Sequence, residues 1–194
     1  MGSYSILQQI LLLERVFTFQ PDAVYFVATP TDAHRALVHL VQQVRRGMEI
    51  PFEAVAEIAE EAGLSSDLRE TEAMRRMQPH ADEILDWALA DFASRVRARG
   101  ATPVWVYLYL PQQDDVEHAD VRALERRDGD AGFLTLDLFD VYDGQDLDAL
   151  AASLYDRHPN AAGHRVIADR LFRELTTREQ LGLPLDQPTS EGER

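Results

Sequence analysis

Apolar residues return at helical spacing over residues 5–17, at Ile6, Leu7, Ile10, Leu13 and Phe17, behind a Ser5-Ile6-Leu7-Gln8 stretch that fits a capping box. Pro21-Asp22 marks a turn. The run 23–28, Ala-Val-Tyr-Phe-Val-Ala, is continuously apolar and partly β-branched, the pattern of a strand buried on both faces. Thr31 can cap the next helix, which carries Leu37, Leu40, Val41 and Val44 on one stripe and stops at Gly47. Residues 48–78 then read as a helical insertion, with helices over 51–77, a stripe of Phe52, Val55 and Ile58, a stop at Gly63 and a turn at Ser65-Ser66.

A long helix is expected over 79–99, with Ile84, Trp87, Ala88, Phe92 and Val96 inward and Gly100 closing it. The run 103–110 reads as a second strand, ended by Pro111, and 133–136 as a third, shorter one. Between them lie an acidic stretch, 112–120, and a short helix near 121–127. An amphipathic helix over 165–175 closes the domain, and 179–194 reads as a flexible tail. Alternating helices and strands predict an α/β fold around a parallel sheet, here a single domain over 1–178. Three strands are fewer than such sheets usually hold.

Composition narrows the partners. A formal net charge of −15 argues against nucleic-acid backbones and anionic membrane surfaces, both of which reward Lys and Arg. No segment has the length and apolarity of a membrane span. The absence of Cys excludes disulfides, thiolate catalysis and cysteine-bound zinc, and leaves the compartment open. His39 lies five residues after His34, which does not suit an i, i+4 metal pair, and His80 and His118 lack ligand-like neighbours, so no metal is expected. Trp87, Trp105, Tyr107 and Tyr109 read as core.

The chemistry concentrates in Asp156-Arg157-His158-Pro159-Asn160-Ala161-Ala162-Gly163-His164. A His two residues after an Asp, stiffened by Pro159 and followed by Asn160 as helix N-cap, is placed for general-base work with the carboxylate orienting the ring. His164 reads as a packing or hydrogen-bonding residue of the closing helix. This stretch resembles the C-terminal block of the SGNH, or GDSL, hydrolase superfamily, in the branch pattern Asp-x-His-Pro-Asn-x-x-Gly-His.

Gly2-Ser3-Tyr4-Ser5-Ile6-Leu7-Gln8-Gln9 is similar to that family's second block, and Asp32 falls where the third block ends, with Thr29-Pro30-Thr31-Asp32 in place of Gly-x-Asn-Asp. The resemblance implies a flavodoxin-like three-layer α/β/α sandwich. It makes His158 the base and Asp156 its partner, puts Gly2 and Thr31 on the oxyanion side, and sets Asp32, His34 and Arg35 at the pocket. A Thr hydroxyl reaches less far than the usual Asn amide, and losing one such donor can cost about a hundredfold in rate.

The family's first block, Gly-Asp-Ser, occurs nowhere in the sequence. Ser5 reads as a helix cap, and neither Ser3 nor Ser5 sits on a sharp strand-to-helix turn that would present a nucleophile. The resemblance thus covers 2–175 but omits the family's first strands, and places the nucleophile before Met1. It implies a serine esterase or acyl-transfer enzyme on a small-molecule or carbohydrate ester, such as an O-acetyl group, without cofactor and inactive as this chain. The alternative is a degenerate SGNH-like module kept for binding or assembly, which the Thr31 replacement favours. In either case the missing first strand would bare a sheet edge at 23–28, to be covered by a partner or a second copy.

Overall fold

Each apolar stripe closes on the same core. The computed structural model describes residues 4–28, 32–111, 126–127, 129–178 and 181. Ser5 opens α1 (Ile6–Phe17), which buries Ile6, Leu7, Ile10, Leu13 and Phe17. A turn through Gln20, at φ 51°, leads into β1 (Ala23–Ala28). Then follow α2 (Asp32–Arg45), α3 (Glu53–Glu61), α4 (Glu70–Met77), a 3-10 turn (Gln78–His80) and α5 (Ala81–Ala98). After these come β2 (Thr102–Tyr107), β3 (Leu134–Leu136), α6 (Leu147–Leu150) and α7 (Ala161–Thr177).

The strands form one parallel sheet in the order β1-β2-β3, with Ala23 opposite Thr102 and Val104 opposite Leu134. This is a small α/β fold. Its strands alternate faces, so Phe26 and Phe133 point to one side, where they meet Phe92 of α5 at ring-centroid distances of 5.7 Å each. The 48–78 stretch joins the same core through Phe52, Val55, Ile58 and Met77. Trp87 is only half-buried, because it closes over Phe52 at the rim (5.1 Å) instead of entering the core. α7 packs on β3 and buries Ile167.

β2 stops at Tyr107, short of the expected 110. Leu108 still donates to the Ala28 carbonyl (3.0 Å), but β3 is three residues long and offers no partner further on. Burial there comes from rings instead: Tyr107 meets Tyr109 at 4.8 Å, and Tyr109 meets Phe139 at 5.8 Å. The Tyr142 hydroxyl donates to the Tyr109 carbonyl (3.0 Å), and burial pushes the Tyr142 phenol up to about 12. The closing helix begins at Ala161, earlier than the expected 165, because Asn160 caps it there. α6 was not expected at all; Asp146 caps it, accepting from the Asp148 and Ala149 amides. The 112–120 stretch, most of the 121–127 helix and nearly all of the 179–194 tail lie outside the described residues.

β1 is an edge strand among the described residues, paired with β2 alone. Its alternate side chains Tyr25 and Val27 are 38% and 42% exposed, while Val24, Phe26 and Ala28 are buried. The neighbours of Tyr25 and Val27 in register on β2, Val104 and Val106, are buried. The sheet therefore has one covered face and one face that opens toward β1. No described helix is long and apolar enough to cross a membrane.

Candidate functional site: a histidine–carboxylate pair on a clamped hairpin

Residues 151–160 fold back on themselves ahead of α7. Ala151 bridges antiparallel to Pro159, the Ala152 amide donates to the His158 carbonyl (2.8 Å), and the Asn160 amide donates to the Leu150 carbonyl (2.8 Å). The tip is a turn built on Ser153, whose hydroxyl accepts from the amides of Tyr155 (3.2 Å) and Asp156 (3.0 Å). The Asn160 side chain serves both ends. Its oxygen caps α7, accepting from Ala162 (2.9 Å) and Gly163 (3.1 Å), while its Nδ2 donates to the carbonyls of Ala149 (2.9 Å) and Ala151 (3.0 Å). Gly163 permits the close approach, because a Cβ there would stand 2.7 Å from the Leu150 carbonyl oxygen.

This hairpin carries the expected pair. His158 Nδ1 lies 2.6 Å from Asp156 Oδ1, and the His158 backbone N–H donates to the same oxygen (3.0 Å). That backbone donor, then the ring contact, hold the Asp156 carboxyl below its ordinary range. An ionised carboxylate only accepts, so Nδ1 carries the shared proton, and in a neutral ring that leaves the lone pair on Nε2. Both side chains are open to water, Asp156 at 56% and His158 at 79% exposure. A ring so placed can take a proton from a hydroxyl, but little around it excludes solvent.

The hairpin is tied to Pro111, in the segment that follows β2, and to α6. Arg157, between the two dyad residues, turns its side chain inward and donates from Nη2 to the Pro111 carbonyl (2.5 Å) and from Nη1 to Asp148 on α6 (2.7 Å). On the other flank Arg170 of α7 pairs with Asp140 beyond β3 (3.0 Å). The carboxyl ends of parallel strands are where α/β folds gather their chemistry.

Asp32 opens α2 just past β1; it is buried and accepts from Arg35 Nη1 (2.9 Å). The structure thus brings Asp156 to His158 and Asp32 to Arg35. His34 is exposed and lines an open groove of about 940 Å³ between α2 and α4, with Val38, Glu70, Met74, Arg75 and Pro79. Asp32 and Arg35 are not among the lining residues of that groove. Gly2, Ser3 and Thr31 lie outside the described residues.

The Ser5 hydroxyl is wholly buried and so out of reach of substrate, while the Ser5 amide donates to Gln8 Oε1 (3.1 Å). His164 is exposed on α7, contrary to a packing role, because the helix turns that face away from the sheet. Burial and the nearby Arg35 charge lower the His39 imidazole. The sequence gives no sign of the parts played by Arg157, Ser153 and Asp148, and marks Pro111 only as a strand end. Ser153-x-x-Asp156 has the look of a turn, but nothing local joins residue 157 to residue 111.

Comparison with protein-family models, with curated proteins and with solved structures finds no match for this chain.

Proposed function

We propose that this chain carries the histidine–carboxylate half of an SGNH-type ester-hydrolysing site, His158 acting as general base and Asp156 as its orienting partner. One observation carries the reading: Nδ1 is engaged by an ionised carboxylate at 2.6 Å while the ring stays open to an incoming hydroxyl. In that role Nε2 takes the proton of an attacking serine, the imidazolium is stabilised by Asp156, and the proton then passes to the leaving alcohol. The substrate class is an acyl ester, of which a carbohydrate O-acetyl group is one example. Neither cofactor nor metal enters the scheme.

In this reading the attacking hydroxyl is that of the family's Gly-Asp-Ser block, which this sequence does not contain, and the Ser5 hydroxyl is buried. A base without its nucleophile gives little rate enhancement. Purified 1–194 is therefore expected to leave p-nitrophenyl acetate at its background rate. A version extended upstream in the same reading frame, if it supplies Gly-Asp-Ser, should turn the ester over and lose that turnover on His158→Ala. Robust turnover by 1–194 itself, lost on His158→Ala, overturns the division of labour.

A second reading, an SGNH-like module kept for binding or assembly, is favoured by β1. The strand carries no charge, lies at the sheet edge and exposes Tyr25 and Val27, whereas isolated edges are usually guarded. Sedimentation of the wild type against Val27→Lys tests it: assembly through this strand predicts a larger species that the lysine dissociates.

A further inference from the structure

The contact that defines the candidate site is a poor device for holding itself. An exposed ion pair gains little over hydration and costs side-chain freedom. Yet Asp156 and His158 are joined through the backbone of a single residue, and that residue is the one fastened to the rest of the protein. Arg157 is 17% exposed between neighbours at 56% and 79%. Its guanidinium spans two acceptors from separate parts of the chain, the carbonyl of buried Pro111 beyond β2 and the Asp148 carboxylate in the first turn of α6. Every other hydrogen bond described for residues 153–158 stays within 152–158. Among the described residues Arg157 is thus the tip's own side-chain link to the rest of the fold.

We infer that Arg157 is the positioning residue of the site: its two-pronged anchor fixes the main chain between Asp156 and His158, and so sets both the Nδ1–carboxylate contact and where the imidazole stands relative to Pro111 and α6. A planar fork suits this task, because it meets a carbonyl and a carboxylate together from one rigid group. A lysine supplies a single charged point and meets one of them well. The inference rests on the proposed role of the dyad for its functional meaning, but the anchoring itself is read without turnover.

The test is NMR on the full 194-residue chain labelled at histidine and backbone nitrogen. In the wild type the His158 ring nitrogens should report the Nδ1-protonated tautomer, and the 154–158 amides should be ordered. In Arg157→Gln the ring should move toward the Nε2-protonated form that a solvated imidazole prefers. The Asp156 and His158 amides should exchange about tenfold faster or more, with the α7 amides unchanged. Arg157→Lys should restore part of the wild-type pattern. Asp148→Asn, which keeps the Pro111 contact, should show a smaller effect and serves where Arg157→Gln does not fold. Asp156→Asn should change the tautomer and leave tip order nearly intact, separating the anchor from the pair it positions.

An unchanged tautomer and unchanged exchange in folded Arg157→Gln, or in Asp148→Asn and Arg157→Lys together if it does not fold, overturns the inference. Should the anchor prove real while the upstream-extended chain hydrolyses no ester, the functional reading fails and the positioning role of Arg157 stands.

Discussion

Two halves of one segment differ in how they are held. From Pro159 to Gly163 the chain is gripped by its own backbone and by one bifunctional side chain: Asn160 joins the carbonyls of Ala149 and Ala151 to the first amides of α7. From Ser153 to His158 the proposed pair faces water, and among the described residues a single arginine side chain reaches back to the fold. The first half is architecture, the second carries the proposed base. A motif read as catalytic is therefore, residue for residue, more a fastening than a reacting group.

The contrast breaks most visibly at Gly163. Gly163→Ala drives a Cβ against the Leu150 carbonyl and the Pro159 ring, both backbone-bound, and should cost about 3 kcal/mol of stability in urea unfolding. Asn160→Ala removes a cap and two carbonyl partners at once, with an expected loss on the order of 2 kcal/mol by the same measurement. A near-neutral result at both sites would show that the clamp is not what holds the hairpin.

The exposed half should answer to pH instead. Asp156 is depressed first by the His158 backbone N–H and only then by the ring. A depressed carboxylate contributes stability above its unfolded value and loses it as pH falls through its lower folded value. A carbon-detected titration should therefore place the Asp156 midpoint below an ordinary aspartate, and His158→Ala should return it only part of the way. Complete return would mean that the ring, not the main chain, holds the carboxylate. Smallest of all should be the effect of His158→Ala on melting temperature, unchanged within error, because the ring buries almost nothing.

Most of the fold was legible because most of it is periodic. The stripes of α1, α2 and α5 and the apolar run of β1 announce their boundaries through Ser5, Gly47, Gly100 and Pro21. Legibility failed where burial and hydrogen bonding part company. Residues 108–110 are as apolar as a strand, yet β3 is too short to pair with them and aromatic contacts take over. Trp87 has a core residue's spacing and a rim residue's position.

At the site, the Asp156–His158 contact could be read because it spans two residues, and the Asn160 cap because helices begin that way. Arg157 could not, since its acceptor is Pro111, distant in sequence and brought near only by the sheet. His34 lines a groove between α2 and α4 that does not include Asp32 or Arg35, an arrangement that only the packing of residues 70–79 against α2 creates.

The parallel register of β1 with β2 has a kinetic consequence. It joins Ala23 to Thr102 across the helices α2 to α5, so the first ladder closes only after a long stretch of chain has organised. Parallel pairings at such separation carry their loop-closure entropy before any reward, and form late. Until then two six-residue segments with no charged side chain, Ala23–Ala28 and Thr102–Tyr107, stand unpaired in the collapsing chain. Refolding should be concentration-sensitive, with the helices recovering before the sheet and the yield falling as more chains meet in that interval.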